Sequence, residues 1–207
     1  QGEVGSGKTL VALRAMLAVV DAGGQAALLA PTEVLAAQHF QTITRMLGEL
    51  ATGGTLGAPE LATGVVLITG SSSAGRRREA TLQAAAGAAG IVIGTHALLS
   101  SDVQFADLGL VVVDEQHRFG VEQRAALSAK ADSRPHVLVM TATPIPRSVA
   151  MTVFGDLETS TLREIPAGRA EVVTVVVDAV HQPSWVQRGW QRIVEEVGRG
   201  RQAYVVC

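Results

Sequence analysis

Seven short apolar runs, each closed by Gly, Pro or polar residues, constrain this chain more than any other feature. They are Ala26–Ala30, Val65–Thr69, Gly90–Ile93, Leu110–Val113, His136–Met140, Val172–Val177 and Ala203–Cys207. All have strand length, and several are rich in β-branched residues. Most are apolar at every position rather than at alternate ones, as strands covered on both faces of a parallel sheet are. Between them lie stretches with helical periodicity: Lys8–Val20, Thr32–Leu50, Arg76–Ala88, Val121–Lys130, Arg147–Phe154 and Ser184–Val197. The first is apolar nearly all round and is predicted to be buried. The second is amphipathic, with Ile43, Met46, Leu47 and Leu50 on one stripe. Strands alternating with helices predict an α/β fold, doubly wound on a mainly parallel sheet. Ligands of such sheets bind beyond the carboxyl ends of the strands.

Composition sets limits on function. Hydrophobic residues make up 47% of the chain and aromatics only 3%, so a core is available and must be aliphatic. A formal charge of −2 supplies no global field to draw the chain to nucleic acid, and any such contact must be local. The single cysteine, Cys207, precludes an internal disulfide and fits a reducing, cytoplasmic setting. No apolar run approaches the roughly 20 residues of a membrane span, and Gln1-Gly2-Glu3 does not open a signal peptide. A start without Met and an apolar end make the chain read as an internal piece of something longer. Ala51–Gly64, rich in Gly, Ala and Thr, is expected to be a mobile surface loop. The pattern breaks at Ile165–Arg169, which places a first domain at 1–164, a linker at 165–170 and the start of a second domain at 171–207. No internal repeat is present.

Gly2-Glu3-Val4-Gly5-Ser6-Gly7-Lys8-Thr9 matches G-x-x-x-x-G-K-[ST] in full. Glycines let the backbone curl so that its N–H groups face a phosphate. Lys8 brings positive charge to the β- and γ-phosphates and Thr9 a hydroxyl to Mg²⁺, while the helix that follows points its positive end at the anion. Leu110-Val111-Val112-Val113-Asp114-Glu115 is a buried strand that ends in two carboxylates. Acids beside a core are costly unless satisfied. A nucleotide-bound Mg²⁺ on Asp114 would satisfy one, and Glu115 would orient and deprotonate an attacking water. The competing use, capping of the next helix, loses weight because the two motifs require each other.

Four segments then carry a family resemblance. Asp114-Glu115-Gln116-His117 resembles the DExH form of the second motif of superfamily-two helicases, and Met140-Thr141-Ala142-Thr143-Pro144 resembles their third. Ala30-Pro31-Thr32-Glu33 resembles their motif Ia, and Gly94-Thr95-His96 the segment that touches the nucleic-acid backbone. Two longer strings, Asp114 to Val121 and Thr141 to Arg147, are similar to the bacterial branch shared by the RecG fork-remodelling helicases and the Mfd transcription–repair coupling translocases. Gln116, the loop Gly2–Lys8 and Pro166-Ala167-Gly168-Arg169 favour the RecG side.

The resemblance spans the chain nearly end to end. It implies a RecA-like P-loop NTPase domain followed by the start of a second RecA-like domain. It also implies ATP and Mg²⁺ as cofactors, and ATP-driven translocation that remodels stalled forks and Holliday junctions in DNA repair and recombination. Lys8, Glu115, Gln116 and His117 take catalytic places, Thr9 and Asp114 the metal, and Thr141 and Thr143 the coupling of nucleotide state to DNA. Pro31, Thr32, Gly94, Thr95 and His96 take the strand contacts, largely to phosphate. His117 either bridges Glu115 to the third motif or lies on the surface. Gln116 either senses the γ-phosphate or the partner domain, or caps a helix, and His96 either meets DNA or is buried. Glu33 is expected to cap or orient neighbours. Arg76-Arg77-Arg78 is either a phosphate contact or a solvated helix face. Arginine fingers from the second domain and an N-terminal wedge would complete the motor, so the chain alone would turn over little ATP. A coupling translocase and a nucleotide switch without motor activity are the alternatives.

Overall fold

The computed structural model describes residues 1–55, 57–115, 130, 135–142, 158–163 and 173–206. The chain divides into two units, Gln1–Ala167 and Gly168–Cys207. In the first, the described elements run α1 (Lys8–Asp21), β1 (Gln25–Leu29), α2 (Glu33–Leu47), β2 (Gly64–Ile68), α3 (Ala74–Ala85), β3 (Ala89–Gly94), β4 (Leu108–Asp114) and β5 (His136–Met140). Short 3₁₀ turns occupy Gly48–Ala51 and His96–Leu99. The five strands form one sheet in the order β2-β3-β1-β4-β5, and every pairing is parallel.

Burial explains why the apolar runs are continuous. Every residue of β1, the central strand, and of β3 beside it is buried. Ala26, Leu28, Ile91, Ile93, Leu110 and Val112 pack against α1 and α2 through Ala12, Leu13, Met16, Ala36, Ile43 and Leu47. Their strand neighbours Ala27, Leu29, Val92, Val111 and Val113 turn to the other face and meet Ala80 and Ala84 of α3 with Leu98 and Val103. Each fully buried Leu or Ile stabilises the fold by about 1.5–3 kcal/mol, so an aliphatic core suffices. β2, at an edge, alternates buried and half-buried positions.

At the start of β1, Gln25 supplies a satisfied polar plug. Its Nε2 donates to the carbonyls of Ala84 (2.9 Å) and Ala89 (2.7 Å), and its Oε1 accepts from the amides of Ala106 (2.7 Å) and Asp107 (3.1 Å). One amide side chain thus ties the end of α3, the start of β3 and the entry to β4 together.

Several expectations need correction. α1 is not buried all round: Ala12, Leu13 and Met16 are buried, whereas Leu10 and Val11 are about half exposed. One face of a helix lying on a sheet stays outside whatever its polarity. α2 stops at Leu47 because Gly48 turns to positive φ (56°), which leaves Met46 and Leu50 exposed while Ile43 and Leu47 face the core. The loop after it is exposed but anchored at its base, where Gly53 donates to Thr63 O (3.2 Å) and Thr63 to Leu50 O (2.8 Å). α3 begins two residues earlier than expected and ends at Ala85.

In the second unit the described residues hold one helix, α4 (Pro183–Gly198), opened by Pro183 in its first turn. The runs expected as strands at Val172–Val177 and Ala203–Cys207 are not strands over their described residues, 173–177 and 203–206. A strand exists only by pairing, and two isolated segments beside one helix are too few for a stable sheet. The expected helices at Val121–Lys130 and Arg147–Phe154 and the linker at 165–170 lie outside the described residues, apart from Lys130. Among the described residues no helix is long and apolar enough to cross a membrane.

Candidate nucleotide and nucleic-acid site

The loop Gly2–Thr9 leads directly into α1. Gly5 and Gly7 have φ of 85° and 90°, the left-handed region that only glycine enters without cost. Gly7 is also the residue before the helix, and no side chain caps α1 there. The positive end of the helix dipole therefore faces the loop, as an anion site requires, while the Leu10 amide of the first turn is already bonded to Gly7 O (3.0 Å). Lys8 folds back over the loop, donating from Nζ to the carbonyls of Gly2 (2.7 Å) and Glu3 (2.8 Å). An ammonium carries three donors, so one remains for a phosphate. Ser6 Oγ is buried with no hydrogen-bond partner among the described residues. A Cβ on Gly2 would stand 2.6 Å from it. An orphaned hydroxyl inside a glycine-walled cradle suits an anion that brings its own acceptor oxygens.

The loop is attached at its start to the strand ends. The Gly2 amide donates to Thr141 O (3.2 Å), and Gly2 forms a parallel bridge with Leu162. Gln1 N donates to Ser160 O (2.6 Å) and Leu162 N–H to Gln1 O (2.8 Å).

Asp114 ends β4 and is 8% exposed. Its Oδ2 lies 2.7 Å from Nε2 of His39, in the middle of α2. Glu115 follows with φ of 49°. Its amide donates to Met140 O (2.9 Å), and its Oε1 accepts from the amide of Ala142 (3.2 Å). Thr141 is buried beside it. The ends of β4 and β5 and the start of the phosphate loop are thus stitched into one network. Gln116, His117 and Thr143 lie outside the described residues.

The segments expected to meet nucleic acid stand at the ends of the neighbouring strands. Pro31 is half-buried after β1, and Thr32 caps α2, its Oγ1 accepting from Leu35 N–H (3.3 Å). Glu33 Oε1 accepts from the Ser71 amide (2.9 Å), linking the start of α2 to the loop after β2. The Ser71 hydroxyl and then its amide hold this carboxyl below the ordinary carboxylate range; the Gly70 amide and the charge of His96 add to this, and burial opposes it. Gly94 ends β3 where a Cβ would lie 2.2 Å from Ile68 O. Its glycine therefore answers first to the close approach of β2. Thr95 is 2% exposed with its hydroxyl turned to the Ala97 amide (3.5 Å), so its side chain does not face an outside phosphate, whereas His96 is exposed. Arg76 and Arg78 are exposed on α3 and Arg77 half-buried; Arg76 Nε donates to Ser73 Oγ (3.2 Å).

His39 was not singled out from the sequence, although a signal existed. It shares the inward stripe of α2 with Ala36, Ile43 and Leu47, and a histidine on an apolar stripe needs a polar partner.

Among known proteins, the family model described as DEAD/DEAH box helicase matches residues 1–152. The chain is 63% identical over 209 residues to the ATP-dependent DNA helicase RecG of Mycobacterium tuberculosis H37Rv, covering all of this chain and 28% of that protein. It is 48% identical over 206 residues to RecG of Synechocystis sp. PCC 6803, again over all of this chain and 23% of the relative. The chain thus spans about a quarter of the length of these relatives. A solved structure of RecG bound to a three-way DNA junction superposes over the whole chain with a TM-score of 0.76 at 37% identity, covering 26% of that chain. The Pyrococcus furiosus Hef helicase domain shares the fold over 80% of this chain and 34% of its own, with a TM-score of 0.56 at 24% identity.

Proposed function

Starting from a chain that belongs to the DEAD/DEAH box helicase family, we propose that it is the ATP-binding part of a RecG-type DNA motor that remodels branched DNA. The observation that carries this reading is the identity to RecG helicases over the whole of this chain, joined to a network in which phosphate loop, acidic strand end and third-motif strand are hydrogen-bonded together. The partners are forked or junction DNA and further domains of the same protein, a second RecA-like domain and an N-terminal wedge. The setting is the cytoplasm, in DNA repair and recombination.

Family membership brings a nucleotide, and the Gly2–Thr9 cradle fits a triphosphate. Among the described residues no three His, Cys, Asp or Glu side chains converge on a metal position. That suits Mg²⁺, which is normally held by one or two protein oxygens plus substrate phosphates. Thr9 Oγ1 and Asp114 would hold it. When bound, the ion neutralises charge developing on the phosphate oxygens. The remaining roles belong to the chain itself. The Lys8 ammonium and the Lys8 and Thr9 amides that open α1 bind and orient the phosphates. Glu115 aligns a water and takes its proton. Thr141, buried at the joint between loop and acid, relays the state of the site towards the strand ends, where Thr32, the amides around Gly94–Thr95 and His96 meet phosphates of DNA.

The test is ATP hydrolysis by the full-length protein on forked, duplex and single-stranded DNA at one stated salt concentration. Strong preference for the branched substrate is expected. Equal stimulation by plain duplex would shift the reading to a coupling translocase. No stimulation by any DNA would overturn the motor and leave a nucleotide switch.

A further inference from the structure

We propose that His39 is a positioning residue for magnesium, holding the Asp114 carboxylate in the orientation that presents its other oxygen to the ion. The inference rests on the reading of Asp114 as the magnesium-holding acid.

Asp114 is 8% exposed, and its side chain and that of His39 are 11% and 13% exposed. A carboxylate so buried must be held by donors. His39 Nε2 reaches Oδ2 at 2.7 Å, the length of a short, charge-assisted hydrogen bond. To donate to an ionised carboxylate, Nε2 must carry the proton. One oxygen is thereby fixed by an imidazole, and among the described residues the other has no hydrogen-bond partner. A carboxylate without this brace rotates about its last torsion and presents either oxygen. With it, the rotation is stopped before any ion arrives. Partners of this outer kind fix the geometry of metal ligands and are worth a great deal in affinity.

The position of His39 gives the contact a second consequence. It stands six residues after Glu33, about 9 Å along α2 at 1.5 Å per residue. The start of α2 is the segment Pro31-Thr32-Glu33, bonded to the loop after β2 through Glu33 and Ser71. One rigid helix therefore carries the nucleic-acid segment at its start and the brace on the metal acid near its middle. A shift of α2 on engaging DNA would move Nε2 relative to Oδ2, which gives the metal site a direct mechanical link to the strand ends.

The experiment uses the full-length protein with branched DNA. His39→Ala should raise the Mg²⁺ concentration for half-maximal ATPase by about ten-fold or more, as loss of an outer-shell partner does, while the rate at saturating Mg²⁺ falls far less. His39→Gln, whose Nε2 is also a donor, should stay near the parent. Binding of Mn²⁺ in the presence of a non-hydrolysable ATP analogue, followed by electron paramagnetic resonance, should weaken in parallel without any turnover. A folded His39→Ala protein with parental Mg²⁺ requirement and parental Mn²⁺ affinity would overturn the proposal. Asp114→Asn separates the levels. If it perturbs both readouts while His39→Ala perturbs neither, the role of His39 alone falls; if it too perturbs neither, the magnesium assignment of Asp114 falls and the brace with it.

Discussion

The amide of Ala142 donates to Oε1 of Glu115 over 3.2 Å, so the acid that follows β4 is held by the chain that leaves β5. Its own amide is held by the same segment, through Met140 O at 2.9 Å. These two bonds keep a non-glycine residue in the left-handed region, at φ of 49°, a conformation that costs about 1–3 kcal/mol unless its surroundings enforce it. The same segment receives the Gly2 amide at Thr141 O, so the loop, the acid and the end of β5 are bonded to one another.

Replacing Glu115 by Gln tests the acid without dismantling the network, because the amide oxygen still accepts from Ala142. In the full-length protein ATP binding should persist and turnover should fall about 10²–10⁴-fold, the usual share of a general base. Single-turnover hydrolysis beside equilibrium nucleotide binding separates the two. Parental turnover by this variant removes Glu115 from the role of base.

Lys8→Ala should act on binding itself. The ammonium makes two hydrogen bonds to loop carbonyls, and its remaining donor is the one offered to phosphate. Hydrogen bonds to a charged group are worth about 1.5–3 kcal/mol each, so ATP affinity should drop at least ten-fold, read by titration with a fluorescent ATP analogue. An unchanged dissociation constant would show that the amides of the loop suffice.

Gly94→Ala should destabilise the fold before it affects any DNA contact. The added Cβ would lie 2.2 Å from the carbonyl oxygen of Ile68, its registered partner on β2, and 2.9 Å from Leu98 Cγ. Backbone in a paired strand cannot move aside cheaply, and overpacking of this kind costs about 1–3 kcal/mol or more. At roughly 2–4 °C per kcal/mol for a chain of this size, the melting temperature should fall by several degrees. A variant with parental melting temperature and lost DNA stimulation would instead assign Gly94 to the nucleic-acid surface.

Much of this was legible before any coordinates. β1, β3 and β4 are apolar at nearly every position because helices cover both faces, so continuous runs marked them directly. The same rule misled at Val172–Val177 and Ala203–Cys207, since hydrophobicity qualifies a segment for pairing but cannot supply the partner. The phosphate loop and Asp114–Glu115 were readable because their chemistry lies in contiguous residues. His39 was not, because its contact spans 75 residues and exists only once α2 lies on the sheet. Thr95 shows the opposite gap: its residue type suits a phosphate contact, but its burial turns the hydroxyl inward.

Glu33 predicts a pH dependence. Its carboxyl is held below the ordinary range, first by the Ser71 hydroxyl and then by its amide. A group whose folded pKa is depressed contributes stability that is complete above its unfolded value, about 4.3 for Glu, and lost as pH falls through the lower folded value. Glu33→Gln keeps an acceptor but no charge. The difference in melting temperature between parent and variant should therefore be constant from pH 7 to pH 5 and shrink progressively as pH falls below about 4.3. Parallel profiles across that window would show that the carboxylate carries no net stabilisation.

Gln25→Leu should be among the most damaging substitutions far from the site. The amide satisfies two carbonyls, Ala84 and Ala89, and two amides, Ala106 and Asp107, in a side chain that is 2% exposed. Leucine matches its size but leaves these groups facing an apolar side chain, and each orphaned buried group costs about 1–3 kcal/mol. The losses are coupled, because a shift of the turn before β4 relieves two of them together. Hydrogen–deuterium exchange of the Ala106 and Asp107 amides should accelerate, with a lower melting temperature for the domain. Gln25→Glu sharpens the test: a carboxylate still accepts from the two amides but repels the two carbonyls, so exchange at Ala106 and Asp107 should stay closer to the parent while protection at the start of β3 is lost. If both variants leave exchange and melting unchanged, the plug is not what joins α3, β3 and β4.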